Sequence, residues 1–325
     1  MAKNTSLNKA GLAKQDEFYT KIADVEREMR HYTEHFKGKT IFCNCDDPEE
    51  SNFWRYFQLN FYQLGLKKLV STHYEETKPS YKLEIVAGEE EKSGQIKAPD
   101  VIKTRLSQNG DFRSPECIEI LKEADIVITN PPFSLFREYI GLLMEYKKQF
   151  IVIGSQNAIT YKEIFTLLRD NAIWLGYHFG DMEFVVPDYY EPRETRYREE
   201  NGIKYRSMGN ICWYTNLDIA KRHEELLLYR QYSAEEYETF DNYDAINVNK
   251  VSDIPMDYSG IMGVPITFAN KYNPAQFEII GLIAGNIKGL AGIPSKIGKD
   301  GPYINGKLKY GRLLIRRKEQ TTDEN

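Results

Sequence analysis

The chain has 325 residues, of which 41% are hydrophobic and 28% charged, and a formal net charge of −5. This composition predicts an ordinary globular protein, and its acidic balance argues against indiscriminate coating of polyanions while leaving room for local basic surfaces. No apolar run approaches the roughly 18 residues of a membrane span, and the first residues lack the apolar centre of a secretory signal, so we expect a cytoplasmic protein with no membrane contact. The four cysteines and five histidines lack the spacing of a zinc site, and no metal is predicted.

Strand-like and helical segments alternate along the first two thirds of the chain. The strand-like segments are residues 39–44, 67–74, 125–129, 149–155, 172–179 and 210–217, and the helical ones are residues 51–65, 114–124, 134–148 and 160–171. Residues 75–100 look like a polar loop or an edge hairpin. The alternation predicts an α/β fold with a mostly parallel sheet and helices on both faces. Ligands of such sheets bind beyond the carboxyl ends of the strands.

The pattern changes at about residue 217. Residues 222–250 read as a helix followed by a polar loop, and polar residues with Gly and Pro dominate from there to Asn273. We therefore expect residues 1–216 to form the main α/β domain and residues 217–318 to form a smaller, irregular module packed on it. Residues 319–325 resemble a flexible tail.

The segment ADIVITNPPFSLFREYI, residues 124–140, joins a buried strand to a helix through a rigid corner. Pro131 and Pro132 fix the backbone, the Asn130 side-chain oxygen and the Pro131 carbonyl are acceptors, and Phe133 offers a ring face. These groups suit an exocyclic amine on a planar ring. Two acceptors that draw on the amine protons make its nitrogen a better nucleophile toward an electrophilic methyl group. The alternative is a Pro-rich turn with a structural role alone.

Three basic runs contrast with the acidic whole. Residues 1–14 carry three lysines and no acid, and residues 307–318 carry six basic residues and no acid, Arg316 and Arg317 among them. Residues 191–206 mix acids with basic side chains and read as a polar loop or hairpin; the basic ones are Arg193, Arg196, Arg198, Lys204 and Arg206. A single run is most often a solvated face, but three favour a polyanion held in a defined cleft.

Several blocks in register carry a family resemblance. DEFYT, CNCDDPEESNF, GDFRSPE, TNPPFSLFREY, ITYKEIF, WYTNLD, NYDAINVNK and MGVPITF, in this order between about residues 16 and 277, resemble the EcoRI-type adenine-specific DNA methyltransferases. The resemblance implies a Rossmann-like methyltransferase sheet in residues 1–216 and a DNA-recognition module in residues 217–318. It further implies transfer of a methyl group from S-adenosylmethionine to N6 of adenine in a short site in double-stranded DNA. A cognate restriction endonuclease would then be a functional counterpart rather than a stable partner.

The family pattern assigns cofactor contacts to two segments near the start of the sheet. Phe18, Tyr19 and Thr20 resemble the motif that covers the cofactor. Residues 43–48 occupy the first strand-to-helix turn, where the methionine part of the cofactor lies in the family. This sequence lacks the usual Gly-rich turn there and has instead Asp46, Asp47 and Pro48. A carboxylate at this turn suits the cofactor's ammonium, and a pair of helix N-caps is the alternative.

Two further cofactor contacts follow from the resemblance. Tyr74 or Glu75, after the second strand, is expected to meet the ribose hydroxyls, and the choice between them stays open. Asp111 and Phe112 resemble the motif that holds the cofactor's adenine. A turn followed by a helix cap explains the last two residues equally well without the family.

An adenine inside a duplex is out of reach of such a pocket, so we expect it to be extruded and stacked on Phe133. Trp213 and Tyr214 are candidates for the opposite wall, with burial in the core as the alternative. Sequence reading is expected from the loop at residues 193–206 and from residues 217–318. Other interpretations of the same corner are methylation of an RNA base or of a protein glutamine amide, and an inert DNA-binding module of the same fold.

Overall fold

The computed structural model describes residues 18–45, 47–76, 78–88, 99–285 and 287–318. The helices in these ranges are α1 (Ile22–Met29), α2 (Thr33–Phe36), α3 (Asn52–Leu59), α4 (Pro115–Glu123), α5 (Phe136–Glu145) and α6 (Lys162–Arg169). The strands are β1 (Tyr19–Thr20), β2 (Thr40–Cys43), β3 (Lys68–Thr72), β4 (Tyr81–Val86), β5 (Ile102–Arg105), β6 (Ile126–Thr129), β7 (Gln149–Ser155), β8 (Trp174–Val186), β9 (Tyr197–Glu200), β10 (Ile203–Thr215), β11 (Ile246–Asn247), β12 (Met262–Pro265), β13 (Phe277–Ile283), β14 (Tyr303–Ile304), β15 (Lys307–Leu308) and β16 (Arg312–Arg317).

The described chain divides into two compact units. The first reaches Ser155 and resumes from Gly176 to Leu217, and the second consists of Gln156–Leu175 and the chain from Asp218 onward. Helix α6 therefore belongs to the second unit although it lies in the middle of the sequence. The functional domains predicted on either side of residue 217 stay a prediction, and the expected tail lies outside the described residues.

The first unit contains a ten-stranded sheet in the order β1-β8-β10-β7-β6-β2-β3-β4-β5, with β9 paired to β10. Neighbours among β7, β6, β2 and β3 are parallel. The β3–β4, β4–β5, β7–β10, β9–β10 and β1–β8 pairs are antiparallel. The α/β class is confirmed, but a mostly parallel sheet is wrong. The chain between β3 and β4 is too short for a crossover helix, so β4 must return antiparallel. Helices on both faces stay a prediction.

Local sequence explains the central elements. Strands β2 and β6 are buried along their whole length and rich in β-branched or aromatic residues, as the middle of a covered sheet requires. Helix α3 begins at Ser51, whose hydroxyl accepts from the Phe53 amide at 3.2 Å, and α4 begins at Ser114, followed by Pro115. Among the described residues, none of the helices has the length and apolar character that crossing a membrane requires.

A buried carboxylate ties the N-terminal helix to the sheet. Glu28 of α1 is fully buried, and its two oxygens accept from the backbone amides of Tyr177 and His178 of β8, each at 2.8 Å. The Tyr32 hydroxyl donates to the same carboxylate at 2.9 Å. Gly176 makes the approach possible, because a Cβ there would lie 2.2 Å from Glu28 Oε1. Position 176 therefore tolerates no side chain while Glu28 occupies this site.

The second unit has its own four-stranded sheet, in the order β11-β12-β16-β13. The helix expected in residues 222–250 is wrong: a short 3₁₀ turn, Ala220–His223, is followed by extended chain. The Gln276 side chain explains the difference, since its amide accepts from the Leu226 N–H at 2.9 Å and donates to the Leu226 carbonyl at 2.7 Å. Both backbone groups of Leu226 are thus engaged outside any helix.

Replacing Glu28 by Gln is predicted to destabilise the first unit. The Gln amide nitrogen is a donor and would face a backbone donor, so one buried N–H loses its acceptor, which costs about 1–3 kcal/mol of unfolding free energy. Urea unfolding of both proteins measures the loss. Glu26→Gln, on the exposed side of the same helix, is the control. Equal stability of the two variants would show that the Glu28 contacts contribute nothing.

Candidate active site

Three neighbouring parallel strands bring the sequence motifs to one edge of the sheet. Strand β2 lies between β6 and β3, and all three run in the same direction. Their carboxyl ends are followed by Asn130, by residues 44–48 and by residues 73–75. Because strands pair about 4.8 Å apart, these three segments are adjacent. The corner at Asn130 and two of the expected cofactor segments therefore lie at the edge where α/β sheets bind ligands.

The amide of Asn130 is buried and oriented. Its Nδ2 donates to the Phe18 carbonyl at 2.5 Å, while Oδ1 is buried with no hydrogen-bond partner among the described residues. A carbonyl can only accept, so it is the NH₂ end of the amide that must face Phe18. An unsatisfied buried acceptor costs about 1–3 kcal/mol, which a ligand that donates a hydrogen bond would recover. The side-chain oxygen can thus accept a hydrogen bond from a bound ligand.

The rest of the corner is rigid and aromatic. Pro131 is buried, Pro132 is half-buried, and the Pro132 carbonyl accepts from the Leu135 amide at 2.9 Å to start a 3₁₀ turn that leads into α5. Phe133, at the start of this turn, is also half-buried. Its ring lies 5.6 Å from the ring of Phe18, tilted by 30°. Part of the Phe133 surface therefore remains exposed.

The N-terminal strand closes over this corner. Phe18 is buried and touches the rings of Phe184 and Tyr190 as well as that of Phe133. Residues Tyr19 and Thr20 pair antiparallel with β8, and the Thr20 carbonyl accepts from Asn52 Nδ2 at 2.8 Å. The Thr20 hydroxyl is buried and has no hydrogen-bond partner in the described part of the chain. This position is compatible with the expected cofactor cover, which stays a prediction.

The turn after β2 adopts a left-handed backbone conformation without a glycine. Cys45 adopts a φ of 67°, the left-handed region that glycine usually takes. Asn44 is buried, and its side-chain oxygen accepts from the Tyr139 hydroxyl. Its carbonyl accepts from the Thr129 hydroxyl of β6. Side chains from β6 and α5 therefore fix Asn44, the first residue of this turn, whereas Asp46 lies outside the described residues.

Asp47 is the one predicted carboxylate of this turn whose position can be given, since Asp46 lies outside the described residues. Its carboxylate accepts from the Glu49 amide at 2.9 Å and from the Tyr81 hydroxyl at 3.3 Å, and lies 3.6 Å from His73. Asp47 thus caps the short turn at Pro48, whereas Ser51 caps α3. A contact of Asp47 or Pro48 with the cofactor stays a prediction.

The end of β3 carries a stacked pair that sequence reasoning missed. The rings of His73 and Tyr81 are 4.8 Å apart and nearly parallel, and His73 Nδ1 lies 2.6 Å from the Ser80 hydroxyl. Tyr74 is 47% exposed and Glu75 is half-buried, so both remain candidates for a ribose contact. The only sequence signal for the pair is a histidine directly after a buried strand.

Asp111 and Phe112 follow a tight turn that packs on β3. Gly110 has a φ of 79°, and a Cβ there would lie 1.9 Å from the His73 carbonyl. The Asp111 carboxylate binds the guanidinium of Arg113 at 2.6 and 2.8 Å. Desolvation raises the pKa of Asp111, but the Arg113 hydrogen bonds outweigh it and lower the pKa overall. Phe112 is buried against Tyr139. Contact of either residue with a cofactor adenine stays a prediction.

Trp213 and Tyr214 require a correction. Both are fully buried; Trp213 packs edge-on against Phe53, and Tyr214 packs against Phe136 and donates from its hydroxyl to the Ser155 carbonyl at 2.9 Å. Side chains with no exposed surface cannot form a wall against DNA. The core alternative is the one that the structure shows.

The arginine-rich segment is a hairpin, one of the two forms expected. β9 and β10 pair through the turn Asn201–Gly202, both with left-handed φ, as a two-residue hairpin requires. Its basic side chains all have partners within the hairpin and its base. Arg193 lies over the Tyr190 ring, Arg196 binds Asp181, Arg198 binds Glu183 and Glu200, Lys204 donates to the Asp188 and Tyr190 carbonyls, and Arg206 donates to the Thr195 carbonyl. DNA contact by this hairpin stays a prediction.

The other basic residues predicted to meet DNA lie near the chain ends. Arg316 is exposed on β16, and Arg317 is half-buried and donates to the Met256 carbonyl. The lysines of residues 1–14 lie outside the described residues. The described part of the chain brings together no group of three His, Cys, Asp or Glu side chains that could hold a metal ion.

Comparison with known proteins places the chain in a family. The model of the family described as adenine-specific methyltransferase EcoRI matches residues 6–318. The Type II methyltransferase M.EcoRI of Escherichia coli is 46% identical over 98% of this chain and 98% of its own length. M.MgeORF184P of Mycoplasma genitalium and M.MpnI of Mycoplasma pneumoniae, also Type II methyltransferases, are 40% and 39% identical over 96% of this chain and 98% of their own lengths. No solved structure matches the chain.

The chain belongs to the EcoRI family of adenine-specific methyltransferases, and the family resemblance seen in the sequence is confirmed. The protein is therefore a methyltransferase. The NPPF corner, with its oriented amide, directly follows the carboxyl end of the parallel strand β6.

An ion cluster at the base of the hairpin makes stability pH-dependent. Glu183 accepts from Arg198 at 2.8 and 2.9 Å and pairs with Lys21. The Arg198 hydrogen bonds, opposed by desolvation and helped by Lys21, lower the pKa of Glu183 from 4.5 to about 2. Because the pKa of Glu183 is lower in the folded than in the unfolded state, the ionised carboxylate stabilises the fold at pH values above about 4.5. This contribution is lost as the pH falls from about 4.5 towards 2.

We predict that Glu183→Gln lowers the melting temperature at pH 7 and that the difference from the parent shrinks as the pH is lowered below about 4.5. Melting curves at a series of pH values measure it. Glu191→Gln, an exposed residue of the same hairpin, should show no such trend. A difference that is constant with pH would contradict the assigned cause.

Proposed function

We propose that this protein transfers a methyl group from S-adenosylmethionine to the N6 amino group of adenine in a short specific site in double-stranded DNA. The observation that carries the proposal is the buried Asn130 oxygen without a partner among the described residues. The family description, adenine-specific methyltransferase, supports adenine as the target. The Type II methyltransferases among its relatives support a role in restriction–modification.

The corner suits an aromatic amine. Asn130 Oδ1 accepts one N6 proton and the Pro131 carbonyl accepts the other, so that the nitrogen lone pair is withdrawn from the ring and is directed out of the ring plane. Phe133 stacks on the base and holds it in place. The Phe18 carbonyl prevents the Asn130 amide from turning, so no reorganisation is needed when charge develops on the nitrogen.

The residues at the strand ends fit a polar cofactor. Four buried polar atoms in or directly after these strands have no hydrogen-bond partner within the described ranges: Thr20 Oγ1, Ser71 Oγ, Thr72 Oγ1 and Asn130 Oδ1. Bound S-adenosylmethionine supplies an electrophilic methyl group on a sulfonium. Asp47 suits its ammonium, and Tyr74 or Glu75 suits its ribose. These two assignments share the edge of the sheet with Asn130.

Base extrusion follows from the depth of the corner. Asn130 is 5% exposed, so an amine within a stacked duplex cannot reach it. The adenine therefore leaves the duplex, at a cost of a few kcal/mol, and Phe133 replaces part of its lost stacking. Base and phosphate contacts are assigned to the hairpin at residues 193–206 and to the second unit, including Arg316 and Arg317.

Product analysis tests the proposal as a whole. Duplex DNA with random sequence is incubated with the protein and S-adenosylmethionine, digested to nucleosides and measured by mass spectrometry, and N6-methyladenine is expected. RNA and a glutamine-containing peptide are run in parallel, because the same corner suits their amino groups. Methylation of either without methylation of DNA would overturn the proposal, and absence of cofactor binding in calorimetry would favour an inert DNA-binding module.

Asn130→Ala is predicted to retain cofactor binding and to lose methyl transfer by about 10²–10³-fold, because a preorganised acceptor is lost from the transition state. Single-turnover rates and calorimetry with S-adenosylmethionine separate the two effects. Asn60→Ala, at the end of α3, is the control. A variant within about threefold of the parent would remove Asn130 from the mechanism, since less than about 1 kcal/mol would then be at stake.

Phe133→Ala is predicted to weaken engagement of the target base by about 1–3 kcal/mol, the usual contribution of base–aromatic stacking. A duplex with 2-aminopurine at the mapped target position reports extrusion by its fluorescence. Phe133→Trp should retain the signal, since it preserves a stacking face. Full extrusion by the alanine variant would contradict the stacking role.

A further inference from the structure

A second basic surface lies in the second unit. The basic run at residues 307–318 contains only two of its lysines, Lys307 and Lys309. Residues 287–311, called here the lysine loop, contain five lysines and one acid in a protein whose formal charge is −5. All five ammonium-bearing side chains are exposed: Lys288, Lys296, Lys299, Lys307 and Lys309. The loop thus concentrates positive charge that the whole chain does not have.

This charge is only partly compensated, by Asp300 of the loop and by Asp241 and Asp244, which bind the loop backbone and Lys296. Within the described residues, the side chains of Lys288, Lys307 and Lys309 make no ion pair or hydrogen bond, and Lys296 meets Asp244 at 3.3 Å on a carboxylate that is itself 97% exposed. The arginine-rich hairpin differs, because its guanidinium groups are already engaged by local carboxylates, carbonyls and two aromatic rings. Of the two basic segments, the lysine loop has more charge to offer a polyanion.

The loop is held in one conformation by side chains of the same unit. The Asp241 carboxylate accepts from the amides of Asn305 and Gly306 at 3.1 and 2.8 Å. Asn242 is fully buried, and its Nδ2 donates to the carbonyls of Lys299 and Gly301, both at 2.8 Å. The Tyr303 amide also donates to Asn242 Oδ1 at 3.4 Å, so the side chains of two consecutive polar residues bind the loop backbone at five points.

Close backbone contacts fix the loop further. A Cβ at Gly281 of β13 would lie 1.9 Å from the Ala291 carbonyl, and one at Gly292 would lie 2.2 Å from the Ile280 carbonyl. Ala291 and Ile304 belong to the core cluster of this unit. The lysines therefore project from a preorganised surface, which reduces the entropy lost when a ligand is bound.

Tyr310 is the most exposed large side chain of the loop. It is 89% exposed, and among the described residues its ring makes no contact with another ring, although its carbonyl is fixed by the guanidinium of Arg312 at 3.1 Å. It follows Lys309 directly in the chain. An exposed aromatic ring that directly follows an unpaired lysine suits a nucleic acid, with a phosphate for the cation and a base for the ring.

We propose that the lysine loop is a DNA-binding surface, in which Lys307 and Lys309 contact phosphates of duplex DNA and Tyr310 stacks on a base exposed by distortion of the duplex. This inference rests on the proposed function for the identity of the polyanion. It deepens the assignment of DNA contacts to the second unit by naming the lysines of one loop and an aromatic ring that follows them, in addition to Arg316 and Arg317.

Salt titrations of binding test the phosphate contacts. Each phosphate contact contributes about 0.9 to the slope of log affinity against log salt, so Lys307→Ala with Lys309→Ala should reduce the slope by up to about two units. Both residues are exposed, and melting curves should match the parent. The control is Lys162→Ala with Lys250→Ala, two exposed lysines of the same unit outside the loop. An unchanged slope in the loop variant, or an equal change in the control, overturns the proposal.

Tyr310 is tested by a pair of variants. Tyr310→Ala should weaken binding about tenfold without changing the salt slope, and Tyr310→Phe should bind as the parent does. An RNA duplex is titrated alongside the DNA, and variants that lose RNA binding while keeping DNA binding would overturn the assignment of the partner. If the parent chain binds DNA and the loop variants bind equally well, this inference fails. If the parent binds no DNA, the proposed function fails first.

Discussion

The hydrogen bond from Asn130 Nδ2 to the Phe18 carbonyl decides which end of the amide meets a ligand. A carboxamide turned by 180° would present its NH₂ group to an incoming amine, and two donors would then oppose each other. The bond sets the orientation through the NH₂ end alone, since no described donor contacts the oxygen. The chemistry assigned to the corner therefore depends on a backbone carbonyl that precedes the first described strand.

The position of the Phe18 carbonyl depends on the position of strand β1, which directly follows it. Strand β1 has two residues, too few to hold their position by pairing alone. Asn52 binds its Thr20 carbonyl, and β8, its partner, is in turn fixed by the buried Glu28. The aromatic cluster around Phe18 adds apolar contact. Support for the Asn130 amide thus passes through β8, a strand without any predicted site residue.

Sequence predicted what is local and missed what depends on partners in space. The buried strands and the corner at Asn130 follow from residue pattern, and the family resemblance followed from ordered motifs. The mixed sheet did not, because strand direction at the edges is set by connections and not by composition. An aromatic pair such as Trp213 and Tyr214 occurs both in buried cores and in base-binding walls, so its sequence does not distinguish the two. A count of charges cannot tell Arg198, paired with Glu183, from an unpaired lysine.

Helix α6 has a consequence for how the chain folds during synthesis. It packs against β13, yet the two are separated by β8, β9 and β10, which belong to the other unit. The apolar side of α6, with Ile164, Phe165 and Leu168, is made long before the strand that covers it. During synthesis, this face lacks β13 until all strands of the ten-stranded sheet have been made. The second unit therefore cannot finish folding before the first unit has all its strands. A fragment that begins at Asp218 would lack α6 and leave part of β13 uncovered.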